Sequence, residues 1–401
     1  MVNIAVLGYG TVGSGIVEVI KTNQKIVDAK ANDQLHVKYV LDLRDFPGDP
    51  VEEILTHDFE DIINDPEVDI VAEAMGGLNP AFTFAKRTLE AGKNYCTSNK
   101  ALVAAHGAEL MQIAKDNHVN FMFEAAVGGG IPIIRPLYQC LTADDIVEIT
   151  GIINGTTNYM LTKMNTEGVS YDAVLKQAQE LGYAEADPTA DVEGFDATRK
   201  IAILSSLTYG QQVDFEDIPT TGISKITDKD FAYANKLGLG IKLFASVRKQ
   251  GDKIYSYVAP TMVSDKHPLF PVNGVLNGVL VRGNMLGDTM FFGSGAGKLP
   301  TASAVVSDIV EEAKNLKNTV LPTWTPEKRR LADAEDLAFV YFVRASKNAM
   351  FDAKNLFVPK EIYDDVVEGE FAFFTEKMSG KELTEKLAKM DGVLSVIRRE
   401  D

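Results

Sequence analysis

Cysteine is nearly missing from this sequence: Cys96 and Cys140 are the only two in 401 residues, and neither belongs to a CxxC or Cys/His pattern. That excludes a disulfide framework, argues against a structural zinc, and points to a reducing compartment, the cytoplasm. No uncharged apolar run reaches the length needed to cross a bilayer. The opening "MVNIAVLGYG" enters a strand with no basic segment ahead of it, so neither a membrane anchor nor a secretory leader is expected. Positive charge is scarce. Lys and Arg number 40 against 57 Asp and Glu, a net charge of −17, which disfavours nucleic acid and anionic membranes as partners. The five histidines fall in charged loops or helices, and neither G-x-S-x-G nor H-E-x-x-H occurs. An acid or base would therefore come from lysines and carboxylates. The sequon-like Asn154-Gly-Thr156 reads as accidental in a cytosolic chain.

What is present is enough for two or three ordinary domains. "VNIAVL", "HVKYVLDL", "VDIVAEAMGG", "NYCTS" and "VNFMFEAAVGGG" are short apolar runs separated by segments of helical period, including one from Asn79, as cap, to Gly92. Strands alternating with helices predict a parallel, doubly wound sheet over residues 1–128, completed by a helix at about 300–318. Past Gly130 the rhythm changes to a mixed α/β domain over 129–299, with helices around 170–182 and 190–209. A charged, Pro-containing linker spans 321–336, and a small α+β module occupies 337–401.

Gly8-Tyr-Gly10-Thr11-Val12-Gly13 is a G-x-G-x-x-G between the first strand and a helix. Glycines there permit a tight turn and close approach of a pyrophosphate to the helix N-terminus, and in this context the pattern predicts a bound dinucleotide. After the second strand stand both Asp42, suited to a ribose 2′-hydroxyl, and Arg44, suited to a 2′-phosphate, so NAD and NADP both remain open. Lys100 opens a helix at the end of a strand, where it could polarise a carbonyl or simply be a solvated lysine. Glu124 to Pro132, "FEAAVGGGIP", reads either as a flexible hinge or as carbonyls and a carboxylate suited to a hard monovalent cation. In "DPTADVEGFDATRK" (187–200), Asp187 and Asp191 can cap the next helix, and Asp196 and Lys200 share one face four residues apart. A surface ion pair is the plain reading. The four acids, however, exceed what capping needs, and with one lysine they suit a substrate ammonium and a proton donor.

The segment "AQELGYAEADPTADVEGFDATRK" (178–200) resembles the signature of homoserine dehydrogenase: A, three residues, G, a D-P pair, D-V-x-G-x-D, and a lysine four on. "EAMGG", "SNKALVA", "FEAAVGGGIP", "NGTTNYML" and "TMFFGSGAGKLPTASAVVSDI" resemble family segments in family order, over about residues 1–320. The resemblance implies a Rossmann-type domain, a mixed α/β substrate and dimerisation domain, and NAD(P)-dependent interconversion of L-homoserine and L-aspartate 4-semialdehyde. It implies that Lys200 is the proton donor, that Lys100 lies near nicotinamide and substrate, and that Glu185, Asp191 and Asp196 serve the substrate. Gly8, Gly10, Thr11, Val12, Gly13, Arg44, Gly76, Ser98, Lys100 and Gly297 would line the dinucleotide. Glu124 by its side chain, and Val127, Gly129 and Ile131 mainly by carbonyls, would hold a structural sodium ion. A homodimer is also implied. The tail departs from the family's ACT domain: "VRASKNAMFDAKN" lacks the D-x-x-G-V-L turn, so a divergent ACT-like module of structural or oligomeric role is expected. Two rivals are a Rossmann-plus-sheet sugar dehydrogenase, whose E-K-P segment is absent, and a non-catalytic sensor, against which the intact Lys100, Asp196 and Lys200 speak.

Overall fold

The computed structural model describes residues 1–400. Its strands are β1 (Val2–Leu7), β2 (Leu35–Leu41), β3 (Leu55–Thr56), β4 (Val68–Glu73), β5 (Asn94–Thr97), β6 (Phe121–Met122), β7 (Ile146–Ile152), β8 (Gln211–Gln212) and β9 (Leu239–Gln250). They continue as β10 (Lys253–Ser264), β11 (Leu276–Gly283), β12 (Gly287–Ser294), β13 (Thr325–Lys328), β14 (Ala338–Ser346), β15 (Ile362–Tyr363), β16 (Glu370–Phe374), β17 (Met378–Ser379) and β18 (Val393–Glu400). The α/β chain divides into two compact units. One comprises residues 1–143, 202–215 and 293–329; the other comprises 144–201, 216–292 and the chain from 330 onward.

In the first unit all strand pairs of the six-stranded sheet are parallel, in the order β3-β2-β1-β4-β5-β6. Every residue of β1 is buried, as expected of a parallel strand whose two faces both carry helices. The strand order reverses between β1 and β4, which opens a crevice at their carboxyl ends. The helix Lys298–Lys314 comes from far along the chain and places Ala302, Val305 and Ile309 in one core with Ile16 and Ile20 of the helix Thr11–Thr22.

Two local expectations give way. Asn79 does not cap the helix Ala81–Glu90: Pro80 takes the N-cap position, and no side-chain cap bond forms. The stretch 321–336 is no free linker. Trp324, only 5% exposed, donates from Nε1 to Gln212 Oε1 at 3.0 Å, and β13 pairs in parallel with β8. A single large indole gains more from burial than a linker gains from freedom.

The second unit is built on one mixed sheet in the order β12-β11-β7-β9-β10-β18-β14-β16-β15, with β17 pairing β14. From β14 onward the order of elements is β-α-β-β-β-α-β, with helices Met350–Phe357 and Gly380–Leu387; without the two-residue β17 it is β-α-β-β-α-β. The strand order β18-β14-β16-β15 is that of a ferredoxin-like split motif. This tail also lends its edge strand to the main sheet: β18 lies parallel to β10, with Thr261 opposite Arg398 and Val263 opposite Glu400. Arg344 of β14, 4% exposed, bonds Asp230 at 2.9 Å and Glu370 at 2.6 Å. Asp230 also closes a capping box with Thr227 on the helix Asp228–Lys236. Each buried charge thus meets a partner, which offsets the cost of desolvating it.

Candidate active site

In the first unit a candidate dinucleotide site grows from the β1 turn. A Cβ on Gly13 would stand 1.8 Å from the Gly8 carbonyl oxygen, so this turn closes only around glycine. Gly10, at the N-cap of the helix Thr11–Thr22, has nothing within 4 Å of where its Cβ would be, and no side chain caps that helix. The first turn therefore holds no acid and presents Thr11, Val12 and Gly13 with backbone N–H groups suited to an anion.

Beside it lies a cavity of about 520 Å³ whose walls include Gly8, Gly10, Asp42, Arg44 and Gly76. Asp42 accepts from the Tyr9 N–H at 2.7 Å and from both Nε and NH2 of Arg44 at 3.0 Å. The guanidinium holds the Asp42 carboxyl well below the usual carboxylate range. His57 bridges the Asp42 carbonyl (Nδ1, 2.6 Å) and Asp45 (Nε2, 3.1 Å). Among the histidines passed over by motif reading, this one is a cavity wall, together with Phe59, Met75 and Phe84.

The loop after β4 is held by Glu73, wholly buried, which accepts from the N–H groups of Met75 (2.6 Å) and Gly76 (3.0 Å) and from Thr97 Oγ1 (2.6 Å). Asn99 donates to the Gly77 carbonyl at 2.6 Å and caps the helix Lys100–Asp116 through Leu102 N–H. Ser98 and Lys100 sit at that junction, and Gly297 is the N-cap of the helix Lys298–Lys314; none of the three lines the cavity.

The Glu124 carboxylate accepts from the N–H groups of Ile133 (2.6 Å), Ile134 (2.8 Å) and Arg135 (2.9 Å), and from Arg135 Nε (3.2 Å). Four donors occupy the four lone-pair positions of that carboxylate. The donor set therefore does not fit a sodium ion held by this side chain, and among the described residues no cluster of three or more His, Cys, Asp or Glu could hold a metal. Val127 lies in the short helix Ala125–Gly128, with Gly129 and Ile131 just beyond it.

The second unit carries an acidic cluster of its own. Asn154 follows β7 and caps the helix Gly155–Glu167 with its Oδ1, which accepts from Thr157 N–H at 2.8 Å. Its Nδ2 donates to Asp191 Oδ1 at 2.7 Å and Asp196 Oδ2 at 2.9 Å. Lys200 Nζ donates to the same Asp196 oxygen and to the Ile153 carbonyl, both at 2.8 Å. Asn154, Asp196 and Lys200 are 5%, 2% and 8% exposed, so the network is a buried polar cluster and not a surface ion pair. Gly194, at φ +84°, breaks the expected 190–209 helix into Thr189–Val192 and Phe195–Tyr209. Asp191 lies in the first of these and accepts from Asn154. Glu185 lies on the exposed loop before Asp187, its carbonyl accepting from Gln179 Nε2.

Residues 8–124 match the family described as homoserine dehydrogenase, NAD binding domain, and residues 132–310 match homoserine dehydrogenase. The chain is 44% identical to the homoserine dehydrogenase of Bacillus subtilis over 320 residues, covering 79% of this chain and 74% of that one. It belongs to the homoserine dehydrogenase family. As a homoserine dehydrogenase, it is an NAD(P)-dependent oxidoreductase that interconverts L-homoserine and L-aspartate 4-semialdehyde, on the route to threonine and methionine. The crystal structure of a homoserine dehydrogenase from Thiobacillus denitrificans is similar over 100% of this chain and 98% of its own, at 35% identity and a TM-score of 0.90. A hyperthermophilic archaeal homoserine dehydrogenase in complex with NADPH is similar over 78% of this chain and 97% of its own, at 29% identity and a TM-score of 0.65. No helix among the described residues is long and apolar enough to cross a membrane.

Proposed function

We propose that Lys200 is the proton donor and acceptor at the substrate oxygen of this dehydrogenase. Asp191, Asp196 and Glu185 would receive the substrate's ammonium group, and Lys100 would assist from the first turn of its helix. The Asn154–Asp191–Asp196–Lys200 network carries this reading. Asp196 and the Ile153 carbonyl aim the ammonium group of Lys200, and Asn154 fixes both carboxylates so that a cationic substrate meets them already oriented. The bound nicotinamide dinucleotide supplies or accepts the hydride. In aldehyde reduction the Lys200 ammonium would give its proton to the substrate oxygen and be left as the neutral amine; in homoserine oxidation that neutral amine would take the hydroxyl proton and become the ammonium.

NADP is the cofactor this cavity favours. Asp42 is already engaged by the Tyr9 amide and by Arg44, whose side chain is 62% exposed and stands with His57 at the end of β2. A 2′-phosphate there would meet a guanidinium instead of a free carboxylate; the NADPH bound by the archaeal relative agrees with this. A homodimer is supported by the exposed apolar side chains Met285, Leu286 and Phe292 at the β12 edge of the sheet. A cytoplasmic location is supported by the two unpaired cysteines.

The test is Lys200→Ala, followed by homoserine-dependent reduction of NADP. Turnover should drop by roughly 10²- to 10⁴-fold, the usual contribution of a positioned acid or base, while dinucleotide affinity is kept. Unchanged turnover would remove Lys200 from the mechanism.

A further inference from the structure

A second cleft, of about 640 Å³, lies wholly within the second unit and plays no part in the proposed chemistry. It runs across one face of the sheet, from β11 and β7 to β14 and β18. In a chain of net charge −17, its walls carry five basic side chains and three acidic ones.

All three acids are spent. Glu148 lies opposite Arg282 on β11 and opposite Arg248 on β9, and pairs with both at 3.0 Å. Asp288 takes the other side of the Arg282 fork at 2.6 and 3.1 Å. Glu400 pairs with Arg248 and accepts from Tyr257 Oη at 2.6 Å. The guanidinium forks of Arg248 and Arg282 are thus filled from within the protein, and the Arg399 guanidinium lies over the Phe374 ring, 4.9 Å from its centroid.

What remains on the walls is a different kind of donor. Lys266, in the turn after β10, and Lys377, in the turn before β17, meet no carboxylate within ion-pair distance among the described residues, and both are exposed. Between them in chemistry is His267, 92% buried by its 8% exposure. Its Nδ1 accepts from the Leu269 N–H at 3.1 Å, which fixes the neutral tautomer with Nε2 as the donor. Burial pushes this imidazole below its ordinary pKa, against the opposing pull of Glu400 and Glu148.

We propose that this cleft binds a phosphate-bearing small molecule through Lys266, Lys377 and the Nε2–H of His267. Lysine binds phosphate as a compact point charge, so two ammonium groups and one imidazole N–H suit an anion with three outward oxygens. The cleft joins the tail strands β14 and β18 to β7 and β11, so its occupant would touch both parts of the second unit.

The test uses the full chain saturated with NADP, so that the glycine turn is already occupied, at low ionic strength. Inorganic phosphate is titrated calorimetrically, with malonate as the dicarboxylate comparison. Phosphate should bind saturably at one site per chain. A Lys266→Gln/Lys377→Gln double variant should weaken it by at least about tenfold at unchanged turnover, and a Lys266→Arg/Lys377→Arg variant should retain it. No saturable binding to the unaltered protein, or equal affinity in the Gln variant, would overturn the proposal. Malonate binding as well as phosphate would overturn the choice of ligand class.

Discussion

Arg44 and Asp42 satisfy each other through two bonds of 3.0 Å, so each masks what the other would say to a ribose. Removing one should unmask the other. Arg44→Ala is expected to lower kcat/KM for NADP by about tenfold or more, the worth of a charge-assisted contact. It leaves NAD turnover level or improved, because Asp42 becomes available to a 2′-hydroxyl. The ratio of the two initial rates is the measurement; an unaltered ratio would sink the NADP assignment. This pair was visible in the sequence as an ambiguity, since both residue types stand after the second strand, and only their mutual geometry separates them. Asn154 was visible only as the first residue of the segment NGTTNYML, with no role attached to it. Its partners Asp191 and Asp196 lie 37 and 42 positions away, and nothing local distinguishes it from an accidental sequon. Glu73 was hidden for a similar reason: a buried acid at a strand end reveals its purpose only once the following loop folds back on it.

At the scale of elements, the glycines of the first turn separate folding from binding. Gly13→Ala sets a methyl group against the Gly8 carbonyl and should destabilise the whole first unit. Gly10→Ala meets open space and should leave the melting temperature within a few degrees of the parent, while dinucleotide affinity collapses because the methyl occupies the pyrophosphate's approach. Equal loss of stability in both variants, by thermal melting and dinucleotide titration, would contradict this division of labour. Elements of this kind were legible because the first strand, its turn and its helix are contiguous and strongly patterned. β3 was not, since two residues carry no periodicity. The split of the 190–209 helix turned on one glycine at positive φ. The placement of β18 beside β10 could not be read either, for pairing between distant segments leaves no local trace.

For the whole molecule, pH enters through the core of the first unit. Glu312 is fully buried near the equally hidden Asp308, and burial first, then Asp308, raises its pKa well above the ordinary value. In the unfolded chain this carboxyl releases its proton near pH 4.3, while the folded protein keeps it. Stability contributed here is therefore largest at low pH and declines as pH rises above that value. Glu312→Gln should reduce the decline in stability between about pH 5 and pH 8, by up to roughly 1.4 kcal/mol per pH unit; parallel denaturation profiles for the two proteins would refute it. The two units also interleave along the chain. The first needs residues up to 329, and the second takes its β18 from 393–400. During synthesis, then, every strand of the dinucleotide sheet and the helix Lys298–Lys314 have been made before the ribosome begins β14. The edge of β10 must wait, unpaired, until residues 393–400 are translated, and that interval is when the nascent enzyme most needs protection from pairing with a neighbour's strand.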